Sequence, residues 1–243
     1  MSAPAQSRQK VLDRIRAATQ SVAKDSAQLA GAYAALPRPY VHSGKLSAED
    51  RIKLLIERLR EYDAEVVECT PAELPDVITA QLAASGRLRF VAPPGTPNEW
   101  MVTSAWKITG LEWTIDHDLP IDEIEKAEGV VTAATCGIAD SGTIVLHHSS
   151  TEGRRVLSLL PDWHLIILRA SQVVETLPEY FDRFQQPPAL HPSDAEPRRR
   201  GLGTPALATY ISGPSATADI EMTRIKGVHG PRFLHVILVR DEN

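Results

Sequence analysis

The sequence predicts an α/β fold, a mostly parallel sheet flanked by helices, with an N-terminal helical extension. Two observations carry this. Short β-branched runs alternate with helix-patterned segments from residue 64 to the end of the chain, the βαβ rhythm that favours parallel pairing. The chain has 243 residues, 43% hydrophobic and 23% charged, which suits one large globular core, and it contains no repeat of 20–50 residues. Residues 1–44 are read as extension and linker, and 45–243 as the α/β domain with a loop insert at 185–204.

Residues 7–36 are helix-patterned, with Val11, Ile15, Ala18, Val22 and Leu29 on one side. The segment and the start of the link after it are basic: Arg8, Lys10, Arg14, Arg16, Lys24 and Arg38 oppose Asp13 and Asp25, on a chain whose formal charge is −5. That contrast suggests either a solvated helix or one that docks on a partner or a second copy of the chain. After a Pro/Gly link at 37–44, Ser47-Ala-Glu-Asp50 is a variant capping box that opens a helix through about Arg60. Strands are expected at 64–69, 88–91, 111–115, 129–134, 143–147, 164–169, 207–211 and 233–239. Helices are expected at 71–84, 121–126, 152–160, 174–184 and 215–226. The insert 185–204 holds four prolines and ends in Arg198-Arg199-Arg200-Gly201, so it reads as a surface excursion or a lid with an arginine cluster.

Two turns carry most of the chemistry. In the first, Ser212-Gly213-Pro214 follows the strand 207–211 at its carboxyl end, the edge where open α/β sheets bind ligands, Ser215 is placed to cap the helix 215–226, and Gly227-Val-His-Gly-Pro231 turns the chain again. Free amides at such a helix start suit an anion or carbonyl oxygen. Ser212, Gly213, Ser215, Thr217 and Gly230 are therefore candidate ligand-binding residues, with Asp219 and Glu221 in the first helical turns favouring a mono-anion over a polyphosphate. His229 lies between two glycines and is a candidate acid/base or carboxylate-binding residue. In the second turn, Gly137 leads into Asp140-Ser141-Gly142-Thr143, a hairpin bend or bulge that gathers a carboxylate and two hydroxyls. Both turns are expected at the edge of one sheet, so that Asp140, Ser141, Ser212, Ser215 and His229 share a cleft.

Gly137-Ile-Ala-Asp-Ser-Gly-Thr143, the run 160–168 (Leu-Pro-Asp-Trp-His-Leu-Ile-Ile-Leu), residues 212–221 and the turn 227–231 resemble the signature of the LUD domain family over about residues 47–239. The family usually carries Glu-Thr-Gly where this chain has Asp140-Ser141-Gly142, so a carboxylate is retained on a shorter arm. The resemblance implies a fold akin to sugar-phosphate isomerases and CoA transferases. It also implies participation in L-lactate oxidation to pyruvate beside iron–sulfur lactate utilization proteins. A competing enzyme reading takes Asp140 as the acyl-accepting carboxylate of a free-standing transferase, or assigns an isomerase activity.

Several classes are disfavoured. An acidic chain with pI ≈ 5.9 lacks the dense cationic face that nucleic acid requires. Apolar runs such as 165–168 fall far short of the roughly 20 residues that span a bilayer, and the start of the chain has no apolar secretory core, so a cytoplasmic location is expected. The two cysteines, Cys69 and Cys136, are too few to hold an iron–sulfur cluster, so no cofactor is expected in this chain. Cys136, beside the Gly137 turn, is expected to be the more accessible of the two. No compact His/Glu ligand spacing marks a metal site, and neither Gly-x-Gly-x-x-Gly nor a Walker motif is present. His147 and His148, adjacent on an expected strand, point apart; His164 and His235 read as structural.

Overall fold

The computed structural model describes residues 3–19, 31–37, 39–184, 207–218, 224–227 and 229–241. The chain divides into two compact units, residues 1–40 and 41–243. In the first, helix α1 (Ala3–Thr19) leaves Val11 and Ile15 exposed, and 31–34 are helical. The middle of the expected helix 7–36 lies outside the described residues, as do residues 185–206, which include the insert 185–204 with its arginine cluster.

The second unit is organised by a six-stranded sheet in the order β1 (Glu65–Cys69), β12 (Phe233–Val239), β7 (Trp163–Arg169), β4 (Gly129–Ala133), β2 (Arg89–Ala92), β3 (Glu112–Ile115). All five pairings are parallel. Alternation along the strands sorts their side chains onto two faces. Leu165 and Ile167 of β7, with Ile237 and Val239 of β12, meet Leu74, Ile78 and Leu82 of α3 (Leu74–Ser85) and Trp100 of α4 (Asn98–Lys107). On the opposite face, Ile166, Leu168, Val236 and Leu238 meet Ile52, Leu55, Ile56 and Leu59 of α2 (Ala48–Glu61), together with Ile144 and Leu146.

Those last two residues belong to a second, four-stranded sheet ordered β8 (Val173–Val174), β5 (Cys136–Ile138), β6 (Thr143–Leu146), β9 (Thr209–Ile211). β5 and β6 form the expected hairpin, closed by Gly142 N–H donating to Ala139 O at 3.2 Å. Gly142 sits at φ 60°, and an added Cβ would lie 2.6 Å from Arg58 Cβ, so glycine meets both requirements of the bend.

The local signals hold where they are specific. Ser47 caps α2, its Oγ accepting from Asp50 N–H at 3.1 Å. Gly86, in the left-handed conformation, ends α3. Leu177–Phe184 forms α6, later than the expected start because Val173 and Val174 pair with β5 instead. Helix α4 was not signalled: its Trp, Val, Thr and Ser residues favour helix weakly, and burial of Trp100 and Ser104 decides the matter. The expected helix 121–126 reduces to one turn, α5 (Ile121–Ile124), anchored by buried Ile124.

Two expected helices are corrected. Residues 152–160 form a turn and a short 3₁₀ segment (Arg155–Ser158), because the buried Glu152 carboxylate accepts from Thr135 Oγ1 (2.5 Å) and from the His147 and Ser149 amides (2.6 and 3.1 Å), holding the chain in a tight loop. In place of the helix 215–226, β10 (Ala216–Ala218) runs antiparallel to β11 (Arg224–Lys226), with Thr217 opposite Ile225. Ser215 does not cap a helix. Its N–H donates to Pro231 O (2.8 Å), its carbonyl accepts from Gly227 N–H (2.9 Å) and its Oγ accepts from His229 N–H (3.1 Å), so Ser215 is tied to the residues that follow β11. This long-range pairing overrides a local helix pattern. Asp219 and Glu221 lie outside the described residues.

Candidate functional site

A cleft of about 450 Å³ opens at the amino ends of β7 and β12 on the α2 side of the sheet. Its floor includes His164 and Leu234, the second residues of those strands; its walls include Tyr62 at the end of α2, Arg155 and Ser158 of the 3₁₀ segment, and residues 209–216 running from β9 into β10. His229, Gly230 and Pro231 complete the rim. The site thus lies opposite the carboxyl edge that open parallel sheets commonly use. The expectation of a carboxyl-edge site rested on the turn after 207–211, but that strand belongs to the smaller sheet, paired antiparallel to β6.

The floor is chemically unusual. His164 is buried, and its Nε2 lies 2.8 Å from Thr132 Oγ1, while Nδ1 has no hydrogen-bond partner among the described residues. Burial pulls its pKa down to about 3, so the ring is neutral near pH 7. Sequence reading treated His164 as structural because it begins an apolar strand; only the position of that strand end against the turn at 212–216 gives it a cleft to line.

The adjacent arginines differ sharply. Arg154 forms a two-pronged ion pair with buried Asp116 (2.8 and 2.6 Å) and donates to Leu119 O at 2.8 Å. Burial alone would raise the Asp116 pKa, but the Arg154 and Leu119 hydrogen bonds hold it below the ordinary carboxylate value. Arg155 lines the cleft, and its exposed guanidinium has no ion-pair or hydrogen-bond partner among the described residues.

The sequence-derived candidates are partly brought together. Ser212, Gly213, Ser215, His229 and Gly230 all line the cleft. Ser141, Thr143 and Ser212 form a chain of hydroxyls, with Oγ–Oγ1 distances of 2.8 and 2.7 Å, that runs from the β5–β6 bend to the cleft wall. Gly213, at φ 131°, passes so close to α2 that a Cβ would lie 2.7 Å from Tyr62 Cβ, which fixes the turn against the helix. Asp140 is exposed at the bend and is not among the cleft-lining residues. Gly137 is a packing position: a Cβ there would meet Leu168 and Leu55 side chains, each at 2.8 Å. Thr217 is in β10, its side chain outside the described residues.

The remaining polar groups have structural roles. His147 Nε2 pairs with Tyr180 OH at 2.7 Å, and burial lowers its pKa. His148 follows the end of β6 in a left-handed conformation and bridges Gly153 O (2.9 Å) and Thr209 Oγ1 (2.7 Å), so the two histidines do diverge, but from a loop. Both cysteines are buried, and Cys136 is the less exposed of the two, 0% against 6% for Cys69; burial pushes its thiol pKa up to about 12. The expectation of an accessible Cys136 is corrected, since the Gly137 turn packs inside rather than facing water. No helix among the described residues is long and apolar enough to cross a membrane.

The LUD domain family matches residues 52–239 of the chain. A Deinococcus radiodurans protein named lactate utilization protein C is 36% identical over 84% of this chain and 86% of its own length. The Bacillus subtilis protein of the same name is 31% identical over 80% of each chain. A crystal structure of a DUF162 family protein from Deinococcus radiodurans superimposes with a TM-score of 0.59 at 29% identity, covering 80% of this chain and 99% of that one.

Proposed function

Because this chain belongs to the LUD domain family, we propose that it acts in lactate utilization, as a cluster-free component of a cytoplasmic system that oxidises L-lactate to pyruvate beside iron–sulfur partner proteins. The observation that carries this reading is the near full-length likeness to the Deinococcus radiodurans lactate utilization protein C. The division of labour rests on donor chemistry. Oxidising lactate releases two electrons, and a cluster to receive them needs about four ligands, mostly thiolates. This chain has two cysteines, both buried and neither in a Cys-x-x-Cys arrangement. The electrons then pass to the partners, and this chain contributes a binding cleft and surfaces for assembly. A free-standing transferase would need its carboxylate nucleophile beside the substrate, and the position of Asp140 outside the cleft lining does not favour it.

The test is reconstitution. The purified chain should be colourless, contain no stoichiometric iron and fail to reduce a dye with L-lactate, whereas its addition to the iron–sulfur partners should be required for lactate-dependent dye reduction. Iron–sulfur absorbance in the isolated chain, turnover by the chain alone, or full activity of the partners without it would overturn the reading.

A further inference from the structure

The cleft contains two groups whose chemistry is unspent. Among the described residues Arg155 is the sole lining residue with a permanent positive charge, and nothing pairs with it. His164 lies at the floor, and its buried Nδ1 has no hydrogen-bond partner among the described residues, an unfavourable state until something satisfies it. Leu159 and Ile211 add apolar wall, and Leu234 apolar floor, around them.

One cation selects a mono-anion over a polyphosphate, and a guanidinium suits a carboxylate in particular. The floor then asks for a second, uncharged oxygen, because a neutral imidazole attracts no additional charge. Its Thr132 partner adds a further property, since a hydroxyl can donate or accept. When Nε2–H donates to Thr132 Oγ1, Nδ1 is a bare acceptor and suits a ligand hydroxyl. When the Thr132 hydroxyl donates to Nε2, Nδ1 carries the hydrogen and suits a ligand carbonyl. Both arrangements are neutral and differ only in the placement of protons within the pair.

We propose that this cleft binds a monocarboxylate with an oxygen on the adjacent carbon, a 2-hydroxy or 2-oxo acid, with Arg155 holding the carboxylate and His164 Nδ1 hydrogen-bonding the 2-oxygen. The inference rests on the lactate-utilization reading for its choice among such acids and extends it to named atoms. The Thr132–His164 pair accommodates both members of a hydroxy/oxo couple by exchanging tautomers. The cleft is larger than a three-carbon acid, so the floor reads the two-oxygen end and leaves the length of the acid's tail unrestricted.

The test uses the full chain with ¹⁵N-labelled histidine, and as probes L-lactate, pyruvate, propionate and inorganic phosphate. The His164 ring nitrogens report their own hydrogen-bond state by NMR. L-Lactate should move Nδ1 as an acceptor and pyruvate should move it as a donor, in opposite senses, while propionate and phosphate leave the ring unmoved. R155Q, a surface change, should weaken L-lactate and pyruvate about ten-fold or more, as expected for loss of a hydrogen bond to a charged group. Propionate or phosphate binding as tightly as L-lactate, a silent His164 ring, or unchanged affinity in R155Q would each overturn the inference. Reconstituted lactate oxidation separates the two readings: dependence on this chain with a silent His164 overturns the cleft assignment alone, whereas acid binding without any such dependence overturns the system reading alone.

Discussion

The two faces of the parallel sheet begin from the same strands and end differently. Under α3 and α4 the face is closed: Phe90 packs against Trp113 and Trp163 with ring centroids 5.7 Å apart in each pair, and the half-buried His235 finds Gln81 Oε1 at 3.1 Å. Under α2 and the small sheet, cover stops short of the amino ends of β7 and β12, and His164 keeps an unpartnered nitrogen beside a cleft. Helices that lie along a sheet can seal it. A short sheet tied on by the turns at Gly142 and Gly213 leaves an edge, and His164 lies at it.

The largest effect that tests this contrast is on the closed face. Leu82→Ala should destabilise the protein by about 2–5 kcal/mol in urea unfolding, since Leu82 is fully buried between helix and sheet. At the open edge, the double change His164→Leu with Thr132→Val removes both partners of a buried hydrogen bond and should leave the unfolding midpoint near that of the parent. A double variant as damaged as Leu82→Ala would mean that the edge is as closed as the other face.

The neighbouring arginines sharpen the comparison at single-residue scale. Arg154→Ala strips the buried Asp116 of its ion pair and should cost about 1–3 kcal/mol, whereas Arg155→Ala should fall within about 0.5 kcal/mol of the parent. Equal losses would show that Arg155 has a structural role. The same pair predicts a pH effect. Because the folded pKa of Asp116 lies below its unfolded value, its stabilisation is present above the ordinary carboxylate pKa and is lost as pH falls through the depressed one. The acid limb of a stability-versus-pH curve should therefore be shallower in Arg154→Gln than in the parent, and an unchanged limb would remove Asp116 from the explanation.

Smaller effects are expected elsewhere. Deleting residues 1–40, which form a separate compact unit, should leave the thermal melt of the α/β unit unchanged and weaken self-association or partner binding in sedimentation at low salt. A truncated chain that fails to fold would assign the basic segment to the core. Neither cysteine should react with a thiol reagent in the native protein, and both should react once denatured; rapid native labelling of Cys136 would contradict its burial.

Much of the frame was legible in the sequence because it depends on local or strongly periodic signals. The strand 233–239, the Ser47 cap and the Gly142 bend follow from β-branched runs, a hydroxyl three residues before an amide, and a glycine where a hairpin needs one. The cleft was half legible. Ser212, Ser215 and His229 stand out as polar residues among turn-formers, and all three line it. Arg155 and His164 did not, because one sat in an expected helix and the other in an apolar strand, and neither context signals a ligand.

By itself the sequence determined the α/β class, the order of most elements and the turns that carry hydroxyls, since period, capping and turn chemistry act over a few residues. Tertiary structure decided three things that act over many. It paired residues 216–218 with 224–226 as antiparallel strands, because Ser215 bonds to Gly227, His229 and Pro231. It gave the turn after β9 to a second sheet, which moved the site from the carboxyl to the amino edge of the first. And it separated Arg154 from Arg155, pairing one with a carboxylate 38 residues away and leaving the other beside a neutral histidine, a distinction that no local pattern in Arg-Arg contains.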